Sequence, residues 1–73
     1  MDLNFRDHTL RITVLANETI GSFRGRWAVY AGSPEGGHDV LFEDVTDAFP
    51  AFAPAEREAK AKALCWVADL PLQ

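Results

Sequence analysis

Residues 9–16 alternate: Leu10, Ile12, Val14 and Ala16 fall on one side, with Thr9, Arg11 and Thr13 on the other, where Leu15 breaks the polar side. A period of two in a stretch rich in β-branched residues predicts a half-buried strand. A second alternation covers residues 26–31, with Trp27, Val29 and Ala31 on one face and Arg26, Ala28 and Tyr30 on the other. Residues 38–45 predict a third strand whose inward phase stays open, because Val40 and Phe42 serve one face as well as Leu41 and Val45 serve the other. Residues 1–6 read as a lead-in that Phe5 pins to the core.

The connections are punctuated by small and turn-forming residues. The first reversal lies between Asn17 and Gly25, either at Asn17–Glu18 or nearer Arg24–Gly25, where Gly21 and Gly25 can both supply positive φ. Gly32-Ser33-Pro34-Glu35-Gly36-Gly37 is a dense turn signal, so the second and third strands are expected to be antiparallel neighbours. Residues 44–53 are expected to connect strand to helix irregularly, since Pro50 and Pro54 stand close together.

From Pro54 to Leu70 the period changes to that of a helix. Ala55, Ala59, Ala63, Trp66, Val67 and Leu70 fall on one stripe at about 100° per residue. Pro54 suits the first helical position, Glu56 is expected in the first turn, and Pro71 stops the helix. Glu56–Lys60 and Glu58–Lys62 are spaced as i,i+4 pairs in the better orientation.

Strands followed by one helix predict an α+β fold: a three-stranded antiparallel meander, order 1-2-3, with the C-terminal helix packed on one face. At 73 residues the chain is expected to make a single βββα domain, 1–73, with a small core. Two Trp and five Phe need burial, which excludes the disordered class. The formal net charge is −4 and unevenly spread: residues 1–32 carry four Arg against three acids, and residues 33–73 carry three cations against eight acids. Such a balance argues against non-specific nucleic-acid binding, which needs phosphate neutralisation. Cys65 is the single cysteine, residues 1–8 hold no apolar leader segment, and no apolar run approaches a membrane span. These features point to a cytoplasmic protein.

Candidate chemistry is sparse. His8 and His38 could be imagined sharing a metal with Asp7, Asp39 or Glu43, but no metal-ligand spacing supports it, and solvated surface histidines are the simpler reading. Cys65 lies off the core stripe with Asp69 at i+4, a poor setting for a reactive thiolate. Asp39, Glu43, Asp44 and Asp47 form an acidic run without calcium-loop spacing, read as solvated acids. No cofactor is expected.

Two surfaces stand out instead. Arg11, Arg24, Arg26 and Tyr30 are expected to share the outer sheet face, as a nucleic-acid face that stacks and neutralises or as cross-strand ion pairs with Glu43 or Glu18. Ala61, Leu64, Cys65 and Ala68 form a second helix stripe turned away from the sheet, which, with Phe49 and Phe52, makes a candidate interaction surface.

The order strand-strand-strand-helix, with Gly25-Arg26-Trp27 opening the second strand, resembles small stand-alone bacterial proteins of unknown function. Over residues 9–70 the topology is also similar to the antitoxin domain of HicB-type systems and to the core of double-stranded-RNA-binding domains. Double-stranded-RNA-binding domains usually carry a basic cluster where their last helix begins; here that helix opens Pro54-Ala55-Glu56-Arg57-Glu58. The resemblance transfers no functional residue. The function expected is a non-catalytic protein-interaction module, with a second copy of the chain or another protein as partner. A nucleic-acid-binding module and a small metal-dependent or hydrolytic enzyme are the alternatives.

Overall fold

A computed structural model describes residues 1–32 and 40–70. It is α+β: a four-stranded antiparallel sheet in the order β1-β2-β3-β4, followed by one helix across a single face. The strands are β1 (Asp2–Phe5), β2 (His8–Asn17), β3 (Ser22–Ala31) and β4 (Val40–Phe49), and the helix is α1 (Phe52–Ala68). The expected three-stranded meander is thus corrected to four strands.

The additional strand comes from the lead-in. Leu3 and Phe5 alternate with Asp2 and Asn4, pair with Leu10 and His8 of β2, and pack against the core. Arg6 and Asp7 close this hairpin with φ of 52° and 63°. Two left-handed residues in a two-residue loop match the twist of the flanking strands, although neither is the glycine or asparagine that usually marks such a turn.

β2 and β3 pair without interruption from His8–Ala31 to Asn17–Ser22. Their connection is Glu18–Gly21: the Asn17 side chain accepts from the Thr19 N–H at 3.2 Å, and Gly21 takes φ of 64°. β3 therefore begins at Ser22 rather than Arg26, and Gly25 is a strand residue rather than a turn residue.

β4 is longer than expected, running through Phe49 in place of the expected irregular connection. Its register on β3 shifts twice. Leu41 is the extra residue between the pairs Tyr30–Val40 and Val29–Phe42. Thr46 and Asp47 together lie opposite Gly25, between Arg26–Val45 and Arg24–Ala48. The first bulge explains why the phase is unreadable from the residues: Phe42 shares the helix-side face with Val29, whereas Val40 pairs with Tyr30 on the other.

The helix starts at Phe52 and ends at Ala68, two residues earlier at each end than expected. Pro54 stands third, where its missing N–H belongs to the first turn that has no intrahelical acceptor. Ala51 caps the helix without a side-chain hydrogen bond, and Glu56 lies beyond the first turn, which contains no acid. Glu58 and Lys62 stand 3.8 Å apart. Arg6 donates to the Ala68 carbonyl at 3.2 Å, so the first hairpin also satisfies one orphan acceptor at the helix end.

The core lies between helix and sheet. Leu10, Ile12, Trp27 and Val29 are buried against Ala59, Ala63 and Val67, with Ala55 also buried. The expected stripe is present, with Trp66 and Leu70 half-buried along its margin. Three alanines on the packing face bring the helix axis close to the sheet, and Gly25 makes room for it.

Candidate functional site

The sheet ends in two unequal edges. β1 is short; β4 spans ten residues and, among the described residues, pairs on one side only. Along β4, Val40, Leu41, Phe42 and Val45 are 41, 48, 38 and 42% exposed. Four large apolar side chains this close together on an open edge are unusual, because proteins commonly blunt such edges.

Phe42 links this edge to the core. Its ring lies 5.3 Å from Trp27 and 5.3 Å from Trp66, the latter stacked at an interplanar angle of 17°. The three rings run from the buried sheet face across β4 to the helix flank. The Trp27 indole N–H is buried without a hydrogen-bond partner. The acids of β4 divide between faces: Glu43 pairs opposite Ala28, while Asp44 pairs opposite Trp27 on the helix side. No ion pair among the described residues involves Asp44 or Asp47.

The cross-strand register places Arg11, Arg24, Arg26 and Tyr30 on the face opposite the helix. Arg11 makes a two-pronged pair with Asp2, at 3.0 and 3.1 Å, and its guanidinium lies 5.7 Å from the Tyr30 ring centroid. Arg26 donates to Glu43 at 2.9 Å. The hydrogen bond from Arg11 holds the Asp2 carboxyl below its ordinary range, and the bond to Glu43 raises Arg26 further. All four partners are about half exposed, where solvent screens such pairs strongly. Two of the three arginines on this face are therefore engaged by acids, Arg11 by Asp2 and Arg26 by Glu43.

The second helix stripe is split. Ala61, Cys65 and Ala68 are exposed, but Leu64 is half-buried and packs on the core. Phe52 is exposed and meets Phe23 edge-on at 6.5 Å, while Phe49 is half-buried opposite Phe23. Phe52 and Leu64 are separated by about 18 Å along the helix axis at 1.5 Å per residue, so the two groups form separate patches.

His8 is half-buried, its Nδ1 2.7 Å from the Arg6 carbonyl oxygen. His38 and Asp39 lie outside the described residues. Among the described residues no three of His, Cys, Asp and Glu come together as metal ligands, and no helix is long and apolar enough to cross a membrane.

The expected order 1-2-3 already leaves the strand over residues 38–45 at an edge; what the residues do not reveal is which of its apolar side chains stay exposed there. Val40-Leu41-Phe42 is apolar in both phases of a strand, a pattern that also fits a strand buried on both faces. Comparison with known proteins adds no relative: no family model matches the chain, and no curated protein and no solved structure matches it.

Proposed function

We propose that this protein is a small non-catalytic interaction module that docks a partner along β4. One observation carries the reading: a ten-residue edge strand bears exposed Val40, Leu41, Phe42 and Val45 and, among the described residues, has a neighbour on one side only. Strand addition at such an edge uses main-chain hydrogen bonds for affinity and flanking side chains for selection. Phe42, held between Trp27 and Trp66, gives the edge a fixed aromatic anchor at little further ordering cost. The arginine face supports a nucleic-acid reading less well, because Arg11 and Arg26 are engaged by Asp2 and Glu43.

The test combines solution mass with capture. Light scattering across a concentration series detects a second copy as partner, and immobilised protein in its own cell extract detects another protein. Both are repeated with Leu41→Lys, which places a charge on the exposed edge. A dimer or a captured partner that is lost in the variant places docking on β4. A monomer that captures nothing, or an assembly indifferent to the substitution, overturns the proposal.

A further inference from the structure

The chemistry of β4 goes further than its openness and describes what it accepts. The strand has two unlike halves: Val40-Leu41-Phe42 is apolar, and the remainder carries Glu43, Asp44 and Asp47 with Val45 among them. Glu43 is balanced by Arg26, but Asp44 and Asp47 have no ion-pair partner among the described residues. We infer that the β4 edge takes an extended segment of a different protein, one half apolar and the other half basic, as an added fifth strand. This rests on the reading of β4 as the docking edge.

Two arguments select this occupant over a second copy of the chain. A two-fold antiparallel pairing along the whole of β4 would gather Glu43, Asp44 and Asp47 of both copies within a few residues of the axis. In that register Asp44 faces Val45, Glu43 faces Thr46 and Asp47 faces Phe42, so the carboxylates of the two copies are not directly opposite but crowd as near neighbours about the axis with no basic residue on either strand, and each chain already carries a net −4. A basic segment meets the same carboxylates with the opposite sign. The apolar half of the segment, meanwhile, covers Leu41 and the Phe42 ring, beside Trp66 on the helix side and Val40 on the other. Charge complementarity of this kind fixes register and raises the association rate more than it raises affinity.

The experiment is an NMR titration of the isotope-labelled full chain with three synthetic peptides. The first is acetylated Lys-Thr-Lys-Thr-Val-Ile-Val amide. The second replaces each Lys by Glu. The third is the first with alternate backbone nitrogens methylated, which keeps charge and composition but blocks strand pairing. The expected result is saturable movement of Val40–Phe49 amides and the Trp66 indole by the first peptide, with a Kd below about 1 mM. Binding weakens as salt rises, is at least tenfold weaker for the Glu peptide, and disappears for the methylated one. The double variant Asp44→Lys, Asp47→Lys reverses the preference between the Lys and Glu peptides. Equal binding of both charged peptides at β4 overturns the inference while leaving β4 as a docking edge. A β4-mediated dimer also overturns the inference and leaves the edge. Undiminished binding of the methylated peptide, or shifts away from β4, overturns both. If no peptide binds, the inference fails, and the capture experiment with Leu41→Lys decides the docking reading separately.

Discussion

Gly25 of β3 lies directly under Ala59 of α1: a Cβ placed on Gly25 would stand 2.6 Å from the Ala59 Cβ and run into the Ala55 carbonyl oxygen. The contact sets how closely the helix approaches the sheet. Neither obstacle is the mobile end of a long side chain, so relief requires the helix itself to move. Overpacking of this kind costs about 1–3 kcal/mol, and Gly25→Ala is expected to lose at least about 2 kcal/mol in urea unfolding, in the upper part of that range. Gly21 provides the contrast. It has open space around it but φ of 64°, so Gly21→Ala is expected to lose only about 1 kcal/mol, the cost of a left-handed Cβ. Equal losses at the two positions would contradict the close approach at Gly25.

The same glycine depends on Thr46. At the second bulge the Gly25 N–H is turned to the Thr46 hydroxyl at 2.9 Å, and that hydroxyl donates to the Asp47 carbonyl at 2.8 Å. Thr46 is only 3% exposed, so water cannot readily substitute. Thr46→Val keeps the shape and removes the acceptor, leaving a buried N–H unsatisfied at about 1–3 kcal/mol. Thr46→Ser keeps the hydroxyl and is expected to recover most of that loss. Hydrogen exchange at the Gly25 amide is the specific readout: it accelerates in the valine variant and stays near the wild-type rate in the serine variant.

The Arg6–Asp7 turn is built from residues that sit uneasily in it. Both have positive φ, and an L-residue in that region carries a cost of roughly 1–2 kcal/mol, less for aspartate. Asp7→Gly relieves one of the two and leaves the Arg6 contact to the Ala68 carbonyl in place. We expect a small gain, up to about 0.5 kcal/mol, after the larger backbone entropy of glycine in the unfolded chain is subtracted. The check is the urea midpoint at unchanged slope. A loss of stability would mean that the turn does not hold Asp7 in the left-handed region.

What can be read from the residues follows from how strictly each element keeps its period. Leu10 and Ile12, and Trp27 and Val29, alternate without interruption, and these four residues form the sheet side of the core. Alternation also puts Arg11, Arg24, Arg26 and Tyr30 on one face without knowledge of the register, because β2 and β3 pair without a shift. β1 is hidden because four residues give too short an alternation and its turn lacks a glycine. β4 defeats a periodic reading because a bulge at Leu41 moves Val40 and Phe42 to opposite faces, which no fixed period describes. Gly25 resembles a turn residue since glycine signals both reversal and close approach, and only the position of Ala55 and Ala59 separates the two. The edge position of β4 follows from the expected strand order, but the exposure of Val40, Leu41, Phe42 and Val45 on both of its faces does not, because the bulge at Leu41 decides which face each takes.

The pairing of β1 with β2 predicts a particular response to acid. Arg11 holds the Asp2 carboxyl below its ordinary value, chiefly through their hydrogen bond. A carboxylate with a depressed folded-state pKa contributes stability above its unfolded value near 3.8, and that contribution fades as pH falls through the folded value. Asp2→Asn removes the linkage. Wild type and variant are therefore expected to differ at neutral pH, with wild type the more stable, and to converge as pH falls below the depressed folded-state value, where the carboxyl is protonated in both folded and unfolded chains. Because both side chains are half exposed, salt is expected to narrow the neutral-pH difference as well. Urea unfolding of the two proteins at neutral and acid pH, each at low and high salt, measures all four differences. A gap that persists unchanged into acid would show that the substitution alters the strand itself and that loss of the Arg11 pair is not its cause.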